Sequence, residues 1–319
     1  QLSIFFCSIL VAQNDSIKPL SFTAYSELYY AYDFSNPNNH LRQDFIYNHK
    51  RHNELNVNLL LLKTNYQDKA IRTNIGLMAG NYAQYNMSAE PTWAQFIYEA
   101  NIGINLSKKN DIWIDAGIFS SHYGFESLLQ TESWTLTRGM YVENVPYYIS
   151  GVAISSTNKA KSLYFGAILL NGWQHIQRID GSQKPSLGLQ VKYMPSEKLT
   201  VNYCNFLGSD KPDSLKSFRH FHNFYTQYQY NTNIGFVIEA NIGFEQSKLS
   251  NPTNWFSLVG ISRYKFSNKT YTAFRLEYYN DPKNTIVPTI DSDWFNTFST
   301  SINFDYCISK NALFRIESF

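Results

Sequence analysis

Nine charged side chains stand at alternating positions of strand-like runs: Arg72, Glu99, Asp115, Lys192, Glu239, Arg275, Glu277, Arg315 and Glu317. Most of their immediate neighbours are apolar, so in an extended chain the charges lie on the face opposite the greasy one. Charges of both signs on one face can do two things. They can set a transverse field that orients polar solutes, or pair across neighbouring strands and hold a wall together. Because both signs occur, no strong preference for anions or cations follows.

Other chemistry is weaker. His220 and His222 share one strand face, as a metal pair would, but no acidic or Cys partner stands near them, so a place at an interface or loop base is expected. His49, His52, Ser120, Ser121 and His122 supply the residue types of a hydrolase and nothing more. No nucleophile elbow, zinc-binding helix or phosphate loop is present. The segment Glu126–Asn144, carrying Trp134, Arg138 and Tyr141, is long enough to fold inward and narrow a lumen. A solvated surface loop is the competing expectation.

The elements that must position these residues are about fifteen strands, from Ser21–Phe34 to Ala312–Phe319. Their connections alternate between tight and long. The turns at Gln67-Asp68-Lys69, Lys108-Lys109-Asn110, Asn158-Lys159-Ala160 and Ser309-Lys310-Asn311 are short and rich in turn formers. Long connections such as 35–53 and 120–146 fall between them. Within strands the alternation is marked: Ile234, Phe236, Ile238, Ala240, Ile242 and Phe244 oppose Gly235, Glu239, Asn241, Gly243 and Glu245, with Val237 the one apolar exception on that second face. A soluble sandwich also shows one greasy face per strand. Sorting of connections by length is instead the mark of a transmembrane barrel, with short turns on the periplasmic side and long loops outside. Tyrosines near strand ends (Tyr29, Tyr30, Tyr32; Tyr147, Tyr148; Tyr228, Tyr230; Tyr278, Tyr279) predict aromatic girdles.

Composition agrees. Aromatic residues make up 17% of the 319 residues and charged residues only 16%, against about 25% in soluble proteins. Mean hydropathy is nevertheless −0.34, and no apolar run reaches the ~20 residues of a membrane helix. A net charge of +2 gives no electrostatic case for nucleic acid. Leu2 to Ala12 is a short apolar stretch followed by polar residues, which predicts the remnant of a signal peptide over 1–12 and a barrel over 13–319. A buried first strand or helix is the alternative. Single-chain barrels close with an even number of strands, so fifteen predicts a barrel of about sixteen whose last strand is missing after Phe319. Cys204 and Cys307 read as packing residues.

Three stretches carry a family likeness. The first is Gly117-Ile118-Phe119-Ser120-Ser121-His122-Tyr123-Gly124-Phe125-Glu126, followed by Pro146-Tyr147-Tyr148 and Gly151. The second is Leu170-Asn171-Gly172-Trp173-Gln174. The third is the Arg-x-Glu of Phe274-Arg275-Leu276-Glu277-Tyr278, repeated at Phe314-Arg315-Ile316-Glu317. In these the chain resembles the OmpL-like β-barrel porins of Gram-negative outer membranes, in a form like those of Bacteroidetes. The resemblance implies an all-β, antiparallel up-and-down transmembrane barrel acting as a pore, without naming a solute. Expected partners are outer-membrane lipid and small polar solutes, with no nucleic acid and no cofactor, and with scope for association of identical copies. A plugged barrel whose long loops bind a partner is the alternative.

Overall fold

The computed structural model describes the backbone of 2–10 together with residues 19–287, 289 and 294–319. Sixteen antiparallel strands follow one another around a closed ring. They begin with β1 (Leu2–Leu10), β2 (Leu20–Tyr32), β3 (Leu55–Gln67), β4 (Ile71–Ala79), β5 (Ile97–Ser107) and β6 (Ile112–Ser120). Next come β7 (Tyr148–Thr157), β8 (Leu163–Leu170), β9 (Ser186–Ser196), β10 (Leu199–Gly208) and β11 (Ser217–Gln229). The ring ends with β12 (Ile234–Ser247), β13 (Thr253–Lys265), β14 (Thr270–Asp281), β15 (Phe295–Ser309) and β16 (Ala312–Ser318). Most reach the ~9–11 residues a tilted strand needs to cross the hydrocarbon. No helix among the described residues is long and apolar enough to do so.

Leu2–Leu10, read in the sequence as part of a signal remnant, pairs antiparallel with β2 on one side and β16 on the other and takes the sixteenth place in this ring. An extended apolar segment can satisfy two otherwise open ladders at once, and a ring without edges leaves no unpaired backbone groups in lipid.

Alternation then sorts the side chains. On β12, Phe236, Ile238 and Ile242 are exposed, while Glu239, Asn241 and Glu245 are buried. The same inversion holds on β4 (Ile75 and Leu77 exposed) and β5 (Ile102 and Ile104 exposed, Glu99 and Asn101 buried). Exposed apolar side chains all round a barrel with charges inside have one suitable solvent, the acyl chains of a bilayer.

The girdle expectation holds in part. Tyr228 and Tyr230 are exposed near the tight turns, as are Tyr264 and Phe266. Tyr29, Tyr148 and Tyr279 are instead fully buried inside the ring. A two-residue period cannot separate a tyrosine at the interface from one a single position along that points inward.

Candidate functional site

The interior is shaped by the 121–147 connection. At its root Gly117 takes φ +135°, a backbone conformation that side chains rarely adopt. Gly117 pairs across to Gly151, where a Cβ would lie 1.8 Å from the Leu169 carbonyl oxygen. Ser121 N–H donates to the Tyr147 carbonyl (2.9 Å), drawing the two ends of the connection together. Beyond that point the chain turns inward and ends in a single helical turn, Met140–Glu143.

This segment is fastened to the far wall. Arg275 on β14 donates from Nη1 to the Thr137 carbonyl (2.7 Å) and to Thr135 Oγ1 (3.2 Å), and from Nη2 to Thr137 Oγ1 (2.9 Å). Arg315 on β16 donates to the carbonyls of Ser133 (2.8 Å) and Thr135 (3.2 Å), and is gripped bidentately by Asp305 at 2.7 and 2.8 Å. The acids accept in turn. Thr137 N–H donates to Glu317 (2.5 Å), Met140 N–H to Glu277 (2.8 Å) and Leu136 N–H to Asn303 Oδ1 (3.1 Å). Three carboxylates surround the Arg275 guanidinium: Glu277 and Glu317 at 3.5 Å and Glu126 at 3.9 Å. The Arg-x-Glu repeats thus form a two-rung clamp, each Arg bonding the segment's carbonyls and each Glu its amides.

The nine strand charges therefore divide into two groups. Glu239, Arg275, Glu277, Arg315 and Glu317 lie under the inward segment, all buried. Arg72, Glu99, Asp115 and Lys192 line a cavity of about 450 Å³ on the opposite arc, from β3 to β9. There Arg72 grips Asp115 (Nε to Oδ1, 2.6 Å) and stacks on Trp113, and Lys63 reaches Glu99 at 2.5 Å. Cross-strand pairing and a charged cavity wall, posed as alternatives by the sequence, occur together.

Trp134, Arg138 and Tyr141 all travel with the inward segment and all are buried. Tyr141 accepts from Asn223 Nδ2 (2.9 Å), and Arg138 lies over the Tyr147 ring at 4.2 Å and the Tyr82 ring at 5.8 Å. Around them the outer half of the barrel is packed rather than hollow. Tyr123, Trp173, Phe206, Phe221 and Trp255 form one aromatic cluster, with Tyr123 at 5.6 Å from Trp173 and 5.5 Å from Phe221. The sequence reading missed this cluster, whose only trace was aromatic residues at positions that alternation assigns to the polar face.

The 33–54 loop closes over the segment. Glu143 accepts from Tyr47 N–H (2.7 Å), Asn48 N–H (3.1 Å) and Asn48 Nδ2 (2.9 Å). A second cavity, about 250 Å³, lies between that loop and the segment, lined by Arg42, Arg138, Glu143 and Arg275 among others. It shares no lining residue with the cavity on the β3–β9 arc. Farther out, His175 lies 2.7 Å from Asp210. Burial works against its charged form, but the hydrogen bond and charge of Asp210 outweigh burial and hold the His175 ring above its ordinary value.

Among the described residues, the histidines named as hydrolase types each have a separate partner. His49 is engaged by Glu27 at 2.6 Å, His52 Nδ1 accepts from Asp33 N–H (2.8 Å), and His122 bonds the Asn205 carbonyl at 3.3 Å. His222 bonds the Tyr203 hydroxyl at 2.8 Å on the wall's outer side. Among the described residues no group of three or more His, Cys, Asp or Glu could hold a metal ion.

The family model for putative beta-barrel porin-2, OmpL-like, matches residues 19–318. The chain belongs to this family. It is an outer-membrane porin-like barrel of a Gram-negative bacterium. Solved structures share its fold at low identity. An anion-selective porin from Comamonas acidovorans is 8% identical with a TM-score of 0.54, over 99% of this chain and 97% of that one. The outer-membrane channel DcaP of Acinetobacter baumannii is 10% identical with a TM-score of 0.54, over 99% and 96%. A loop-deletion mutant of OmpT, an outer-membrane protein of Vibrio cholerae, is 9% identical with a TM-score of 0.51, over 99% and 97%. No curated protein matches. Within the porin fold, the clamp made by the two Arg-x-Glu repeats sets the form of this chain's interior.

Proposed function

We propose that the chain passes small polar solutes by passive diffusion, with the inward segment 126–144 limiting the width of the path. The observation that carries this reading is the division of the interior. One arc clamps the segment through Arg275 and Arg315, and the other keeps a polar cavity wide enough for a small solute. The chemistry needs no catalyst: charge pairs on the wall replace part of a solute's hydration, and the segment sets the bore. We accordingly read the chain as non-enzymatic, and we read association of copies in the membrane as compatible with its apolar outer surface.

The experiment is single-channel recording of the refolded protein in planar bilayers. Small conductance steps are expected, larger in an Arg275→Met/Arg315→Met variant that frees the segment. A bilayer that stays silent with both proteins refutes the channel. The second reading, a plugged barrel whose loops bind a partner, is favoured by the aromatic packing of the outer half and by the two cavities having no lining residue in common. It predicts that silence.

A further inference from the structure

We propose that the cavity on the β3–β9 arc is a binding site for a small organic monoanion with an apolar body, held by Lys192. Three observations meet there. First, the other charged strand residues around the cavity are matched: Arg72 with Asp115, and Glu99 with Lys63. Lys192 has no carboxylate within ion-pair distance among the described residues, so the cavity carries one uncompensated positive charge. Second, its cross-strand neighbours bring further hydrogen-bonding groups to the cation. Lys192 faces Tyr164 on β8 and Asn202 on β10. Asn202 is fully buried and accepts from Gln190 Nε2 (2.9 Å), yet its own Nδ2 has no acceptor. A cation lining a cavity with no carboxylate of its own is the arrangement that an incoming carboxylate completes.

Third, part of the wall is apolar. Phe119, Ile149, Ala153 and Ile168 line the cavity beside Ser120, Ser121 and His122, so it offers contact to a hydrocarbon or ring as well as to a carboxylate. The inward face of β9 runs Gly188, Gln190, Lys192, and at ~3.3 Å per residue the cation lies about 13 Å along the strand from Gly188. A Cβ on Gly188 would come within 3.1 Å of the His122 ring. The glycine therefore makes room for the imidazole that lines the cavity there. The chemistry selected is one carboxylate on a compact hydrocarbon or aromatic body.

The site needs only the inward orientation of these strand faces, not conduction, so binding in detergent is read separately from any channel. The folded full chain is titrated calorimetrically with benzoate, with benzylamine and benzyl alcohol as cationic and neutral probes of similar shape. Benzoate is expected to bind and the other two to bind at least about tenfold more weakly, the loss expected for one charge-assisted hydrogen bond. Lys192→Arg should retain benzoate, and Lys192→Gln should weaken it by a similar factor. Equal uptake of benzoate and benzylamine by the unaltered protein overturns the proposal, and so does no benzoate uptake at all. Benzoate affinity unchanged in a Lys192→Gln protein that still shows heat-modifiable migration of the barrel also overturns it. The comparison of the three probes stands even if a variant fails to fold.

Discussion

Replacing Arg275 by Met tests the clamp, because Met keeps much of the length and removes only charge and donors. The guanidinium makes three hydrogen bonds to the inward segment, between 2.7 and 3.2 Å, and stands among Glu126, Glu277 and Glu317. It is almost wholly buried, so solvent screening discounts little. Removing one partner of a buried ionic cluster costs about 3–5 kcal/mol, because the remaining charges are left uncompensated. Here the three acids are left facing one another, and the cheapest relief is for the segment to lift away with Glu126. At ~1.4 kcal/mol per decade, the equilibrium for local opening rises by about two to three and a half decades. Hydrogen exchange read by mass spectrometry reports this directly. The amides of Thr137 and Met140, which donate to Glu317 and Glu277, should lose protection by that factor while strand amides of β11–β15 keep theirs. Unchanged exchange across 126–144 in a folded Arg275→Met barrel would refute the clamp, and the assignment of the bore to that segment would fall with it.

Two further perturbations are independent of the clamp. His175 is held above its ordinary value by Asp210, so its contribution is fully present below pH ~6.5 and is lost as pH rises through the raised value. Protection factors in the 171–185 loop, the rates corrected for intrinsic amide exchange at each pH, should therefore fall on going from pH 6 to pH 9, and His175→Ala should abolish the fall; protection factors indifferent to pH in the unaltered protein contradict the pairing. On the outer face, Ile238 is well exposed between inward Val237 and Glu239. Ile238→Arg should destabilise the barrel in urea-dependent folding into vesicles by about 2–4 kcal/mol if that face meets mid-bilayer lipid, whereas no change would place it in water.

Much of the barrel was legible because period and connection length are local properties. The run from Ile234 to Glu245 alternates so cleanly that its two faces, lipid and interior, could be assigned from residue types alone. The rule that short turns alternate with long loops fixed the hairpins for the same reason. The inward course of 126–144 was legible only as one of two options, since nothing within the segment names its partners. Those partners, Arg275, Asn303, Arg315 and Glu317, lie roughly 140 to 185 residues away in sequence, and the Arg-x-Glu repeat that supplies most of them was legible as a family motif and as lumen charges, not as a fastening for the segment. The packed outer half left one faint trace, aromatic residues at positions that alternation assigns to the polar face. Tyr29 and Tyr279 occur near strand ends as a girdle requires, and only the register of the closed ring turns them inward.

The distance along the chain between the inward segment and its fastenings bears on biogenesis. The segment is made before β7, whereas its anchoring carbonyl and amide contacts are to the last three strands. Without β14–β16 beside it, the segment's carbonyls and amides have none of these partners on the wall. Seating of the internal strap therefore depends on assembly of the very arc that the Arg-x-Glu strands build, whichever is put in place first.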